Sequence, residues 1–178
     1  MDYFSAGLAI LYSLFYTVVR LFHLYAPSQP CLVNSDPSAL KPGRALALWA
    51  TLCTVLYVLH VSYLSLLPRF DYTYNIAASL VIGFLHNILW LTYSVPSNLL
   101  RPFPLRSLAY LPKHAYKSSV FVALTIAATT FEVFDFPPWY RVIDAHALWH
   151  LSTVPLVVFW WTFLIEDTLD EGWKAEKA

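Results

Sequence analysis

Five apolar runs, each longer than the roughly 17 residues a membrane-spanning helix requires, occupy most of this chain. They cannot be folded into a water-soluble globule. Of the residues, 58% are hydrophobic and only 12% charged, where a soluble domain carries about a quarter, so too few charges remain to coat a surface. The runs lie near residues 3–23, 45–67, 74–93, 116–134 and 138–165. Prolines mark the connections: Pro27, Pro30, Pro37 and Pro42, then Pro68, then Pro96, Pro102, Pro104 and Pro112, then Pro137 and Pro138. The pattern predicts an all-α membrane protein, a five-transmembrane-helix bundle forming a single domain, with 166–178 as a polar tail. Zero formal net charge, and no basic patch interleaved with aromatics, argues against nucleic acid as a partner.

Lysine and arginine positions predict the orientation. Arg20, Lys41, Arg44, Arg101, Arg106, Lys113, Lys117, Lys174 and Lys177 map to one face, and only Arg69 and Arg141 to the other. Nine against two predicts a cytosolic carboxyl terminus and a lumenal or external amino terminus. The acids sort the other way: Asp2, Asp71, Glu132, Asp135 and Asp144 fall at the lumenal side. His60 and His146 lie about two turns into their helices from that side.

The fifth run carries Asp144-Ala-His-Ala-Leu-Trp-His150. Ionisable groups at membrane depth are costly and are read by default as functional. Residues four apart share a helix face, so His146 and His150 can point at one ligand. With Pro137 and Pro138 in the first turn and Asp135 near the N-cap, the helix would begin at Pro138. His150 would then lie about 18 Å along it, near mid-membrane. Pro155 would kink it.

Neutral imidazoles suit Zn²⁺, whose catalytic sites take three protein ligands and leave a position open. The histidine pair supplies two, and a third would come from another helix. Ala147 stands where a metalloprotease helix has its glutamate, so this is no zincin motif. The residues alone leave two readings open: a metal, or two imidazoles hydrogen-bonded to neighbouring helices.

The words Asp135-Phe-Pro-Pro, Asp144-Ala-His-Ala-Leu-Trp-His-Leu-Ser-Thr-Val-Pro155, Phe163 and Glu166-Asp167 closely resemble the last helix of the GPI-anchor-remodelling lipid hydrolases, the Per1-like post-GPI-attachment factors. His60-Val-Ser-Tyr-Leu-Ser and Arg69-Phe-Asp-Tyr-Thr-Tyr-Asn75 resemble that family's middle helices, and Met1-Asp-Tyr-Phe its third. The family belongs to the CREST superfamily of seven-helix membrane proteins, several of them zinc-dependent amide or ester hydrolases. The five spans would correspond to helices three to seven. The resemblance implies that His146 and His150 are metal ligands, and that Asp2 is a ligand or the base for the metal's water. It implies phospholipase A2-like removal of an acyl chain from GPI-anchored proteins in the endoplasmic reticulum or Golgi membrane, with membrane lipid and GPI-anchored proteins as partners. The family's Ser-x-x-x-His pair would lie upstream of Asp2, so the chain reads as amino-terminally truncated.

Asp144, His60, Ser62 and Asp71 are candidates for supporting the site or lining a lipid entrance, with hydrogen-bonded helix packing as the plainer reading for the last three. Ser152 and Thr153 read as packing hydroxyls, and His86 and Asn87 as interhelical hydrogen-bonding groups. Trp160, Trp161 and Tyr140 read as interfacial anchors. Glu166, Asp167, Asp170 and Glu171 read as a solvated acidic end. Two other functions remain in view: a non-catalytic lipid-binding protein, receptor-like or chaperone-like, and a haem-binding electron carrier using His60 with His146.

Overall fold

A computed structural model of the chain describes residues 2–24, 43–95, 111–134, 136–140 and 143–170. These residues form five α-helices: α1 (Asp2–Leu21), α2 (Arg44–Leu66), α3 (Tyr72–Ser94), α4 (Tyr116–Val133) and α5 (Ala145–Leu169). The chain is an all-α membrane protein. Helices α1, α2, α3 and α5 are long and apolar enough to cross a membrane. α4 is not among them, against the expectation of five: Lys117 and Glu132 stand near its two ends, and threonines and serines dilute its apolar run.

The helices belong to two compact units. The first holds α1, α2 and α3 through Leu89, and the second holds the last turn of α3 from Trp90, with α4 and α5. In the first unit α1 and α2 run antiparallel. The Trp49 indole N–H donates to the carbonyl of Phe15 at 3.2 Å, and the Tyr57 hydroxyl donates to that of Phe4 at 3.0 Å. The start of α1 is further held by aromatic packing. The Tyr3 ring lies 5.1 Å from Phe70 and 5.4 Å from Tyr72, both at the α2–α3 connection. Asp71 starts α3, its carboxylate accepting the Tyr74 N–H at 2.9 Å.

In the second unit α4 and α5 are also antiparallel. Their core is aromatic: Trp90 is fully buried and meets Trp160 at 5.0 Å and Phe163 at 5.2 Å, both edge-on, while Phe121 stacks on Trp160 at 4.2 Å. Trp160, expected as an interfacial anchor, is half-buried and packs one side of its indole against these rings. Trp161, next to it, is exposed.

The carboxyl end of α5 also departs from expectation. Asp167 is fully buried, accepting the Tyr93 hydroxyl at 2.5 Å with His114 Nε2 at 3.3 Å. Glu166 accepts Lys117 through both oxygens, at 2.5 and 2.6 Å. Beside them Ser94 and Ser118 share a 2.6 Å hydrogen bond, and the Ser118 hydroxyl is within reach of the carbonyls of Trp90 and Ala115. A buried carboxylate is tolerable only when paired and hydrogen-bonded, and this knot ties the ends of three helices together. Glu166 and Asp167 are therefore not part of a solvated tail; Glu171 lies outside the described residues.

Tyr93→Phe keeps the ring but strips the buried carboxylate of its shortest partner. It should lower stability by about 1–3 kcal/mol, read as thermal unfolding in detergent. Lys117→Met, at a partly exposed ion pair, should cost under about 1 kcal/mol. Equal effects would refute this ranking.

Candidate functional site

α5 begins at Ala145 and not at Pro138. The residue before a proline is pushed out of helical backbone, and two such residues, Phe136 and Pro137, stand in succession. The chain then closes on itself: Trp139 donates to the carbonyl of Ile143 at 2.8 Å and Ile143 returns the bond at 3.2 Å. Asp144 follows in extended backbone, φ −112° and ψ 172°, and its carboxylate accepts the Ala147 N–H at 2.7 Å. The helix cap is therefore Asp144; Asp135, expected in that role, lies outside the described residues. This also shifts the histidines. His146 falls in the first turn, and His150 lies about 7.5 Å from the helix start at 1.5 Å per residue. The pair stands at the end of a spanning helix and not at mid-membrane. Pro155 lies inside α5, which continues to Leu169.

The two imidazoles meet. His146 Nε2 and His150 Nε2 are 3.0 Å apart, with the rings edge to face at 4.5 Å. One ring N–H donates to the other ring's lone pair. Trp149 flanks both, 5.5 Å from His146 and 4.6 Å from His150 between ring centres. Both histidines are exposed.

This spacing suits two ligands of one metal ion. Two Zn–N bonds of about 2.0–2.1 Å meeting near the tetrahedral angle put their nitrogens about 3.3 Å apart. Two donors do not complete a site. Among the described residues no group of three or more His, Cys, Asp or Glu side chains is gathered for a metal. Asp2, the expected third member, opens α1 in the first unit.

The other predicted residues divide. Asp71 and Asp144 are both helix caps, a role that accounts for each carboxylate without a ligand. His60 turns towards α1, where a Cβ on Gly7 would come within 3.7 Å of its Nε2. That nitrogen is buried without a hydrogen-bond partner, and the ring packs 5.4 Å from Tyr74. Ser62 is exposed; two residues along a helix from His60, it turns to a different side. Ser152 and Thr153 donate to carbonyls of their own helix, Trp149 and His150, at 2.8 and 2.9 Å. His86 Nδ1 lies 3.3 Å from Oδ1 of Asn87, its neighbour on α3. The reading from residues alone missed Tyr93, His114, Ser94 and Ser118, whose meeting no local pattern announces. The capping role of Asp71 and Asp144 was signalled by an aspartate directly before each apolar run.

A family model described as the Per1-like family matches residues 1–168. The chain is 36% identical over 169 residues to the GPI-specific phospholipase A2-like PGAP3 of Homo sapiens, covering 95% of this chain and 44% of that protein. It is 33% identical to the protein of the same name from Danio rerio, covering 95% and 45%. It is 34% identical to the Protein PER1 homolog of Schizosaccharomyces pombe, covering 93% and 43%. The chain spans a little under half the length of these curated relatives. No solved structure matches it.

If Asp144 acts as a cap, Asp144→Ala should destabilise α5 by about 0.5–2 kcal/mol and Asp144→Ser should recover most of the loss. Amide hydrogen exchange over residues 145–149 reads this directly. Unchanged protection in the alanine variant would refute the capping role.

Proposed function

This chain belongs to the Per1-like family, and from that membership we propose that it takes part in GPI-anchor lipid remodelling, as the histidine-bearing portion of a phospholipase A2-like ester hydrolase. The observation that carries the reading is the 3.0 Å approach of His146 Nε2 to His150 Nε2 on an exposed face at the end of a spanning helix. Relatives carry the printed name GPI-specific phospholipase A2-like, and the reaction is inferred from that name together with this pair.

The proposed substrate is the acylated glycerol of a GPI-anchored protein. Its ester lies just below the headgroups of a bilayer. That is the level reached by a histidine pair in the first two turns of α5, and mid-membrane would be too deep. The pair would hold Zn²⁺ through both Nε2 atoms. When bound, such an ion supplies an electrophile for the carbonyl oxygen and a water acidic enough to act at neutral pH. Trp149 packs beside both rings. Asp2 is proposed to accept the proton of the attacking water. The positive-charge asymmetry supports a lumenal location for this end of α5, where a GPI anchor's glycan lies, and the proposed compartment is the endoplasmic reticulum or Golgi membrane.

His146→Ala and His150→Ala should each weaken zinc binding by about 100-fold or more, since loss of a supporting partner alone costs 10–100-fold. Titration of the purified protein with Zn²⁺ measures this. Each should also abolish fatty-acid release from a GPI-anchored protein in cells that depend on this gene. Full release with either histidine gone would reject the hydrolase reading. Retained zinc with no release from the unaltered protein would favour a lipid-binding role without catalysis.

A further inference from the structure

Directly ahead of the histidine pair, Trp139 and Ile143 exchange two backbone hydrogen bonds, and Tyr140 follows Trp139 in a turn. Tyr140 has φ 51°. Left-handed backbone is unfavourable for any residue with a Cβ, and glycine or asparagine is the usual occupant. A tyrosine here is also 98% exposed, so its ring recovers nothing from packing within the protein. Trp139 beside it is 66% exposed, and its indole is backed by Phe136 at 5.8 Å. Phe134 and Ile143 are exposed on either side. Strained backbone that carries a large ring into the open points to an occupant outside the chain.

The position of the turn identifies that occupant's chemistry. It joins α4 to the end of a membrane-spanning helix, one residue before the Asp144 cap. Tyrosine and tryptophan at such ends place an apolar ring among the upper acyl chains and an O–H or N–H at the headgroup and ester level. Water would reward neither ring. Trp139 and Tyr140 and, further along the chain, His146 and His150 are all exposed.

We propose that the Trp139–Tyr140 turn is a lipid-contact tip: both rings enter the ester-carbonyl layer of the bilayer beside the amino end of α5, and the Tyr140 hydroxyl bonds an ester or phosphate oxygen of a glycerophospholipid seated there. Insertion stands on the turn alone. Delivery of that lipid's ester to the histidine pair rests on the hydrolase reading above.

The two can be separated. A nitroxide attached at Tyr140→Cys, in a Cys31→Ser, Cys53→Ala background and in phosphatidylcholine vesicles, should relax faster with oxygen than with a water-soluble nickel chelate, as a label at exposed Leu151 on α5 should. A label that meets the nickel chelate freely overturns the tip. So does one immobilised and reached by neither, which would indicate a protein partner. For delivery, Tyr140→Gly is set against Tyr140→Phe. Glycine relieves the left-handed backbone, so a merely structural role predicts equal or higher thermal stability and unchanged kinetics. A lipid-contact role predicts unchanged zinc affinity and equal or higher stability, but a KM for bilayer lipid raised by about fivefold, with phenylalanine keeping most of the parental value. Parental KM in Tyr140→Gly overturns delivery. If the unaltered protein cleaves no ester while the nitroxide still reports lipid, the hydrolase reading fails and the tip stands.

Discussion

A peptide backbone in hydrocarbon has no water to satisfy it, so each N–H and C=O must find a partner inside its own segment. That requirement shapes nearly every polar group described here. Hydroxyls within the helices bond back to carbonyls of the same helix: Ser13 to Ala9, Thr17 to Ser13, Thr51 to Ala47, Thr54 to Ala50, Thr162 to Val158. These bonds satisfy each hydroxyl within its own helix. The irregular backbone is confined to helix ends, where the free N–H groups of a first turn need acceptors. Asp71 and Asp144 supply them. An aspartate ahead of an apolar run is thus first a solution to helix termination, before it is a candidate for chemistry.

The two ends of α5 use polar residues in opposite ways. At the carboxyl end, Asp167 is fully buried and engaged by Tyr93 and His114 from two other helical segments. Groups so enclosed hold helices in register and have no face left for a ligand. At the amino end, His146 and His150 are exposed and engage each other through their Nε2 atoms. Burial with cross-helix partners marks a tie, and exposure with convergent nitrogens leaves the pair available for the role proposed for it. The same distinction separates Trp160, locked among Trp90, Phe121 and Phe163, from the adjacent Trp161.

The start of α5 has the largest bearing on function. Beginning the helix at Ala145 raises the histidines by about 10 Å relative to a start at Pro138, at 1.5 Å per residue. A group at mid-membrane would meet acyl chains, whereas a group in the first two turns meets glycerol esters. The cause is local: Pro137 and Pro138 force the residues before them into extended backbone, and the Trp139–Ile143 bridge uses hydrogen bonds that a helix would otherwise claim.

Helix number, the approximate bounds of the first four, the pairing of His146 with His150 and the family were all legible in the residues, because apolar run length, i to i+4 spacing and distinctive words are local properties. The resemblance rested on stretches such as Asp144 to Pro155, which carry their meaning in order and not in depth. Only the folded chain decided where α5 begins, that Trp160 packs against Trp90, and that Asp167 is buried beside Tyr93. Two of these depend on partners 74 residues apart or on neighbouring helices, and burial is set by what packs against a residue, which one-dimensional order does not contain.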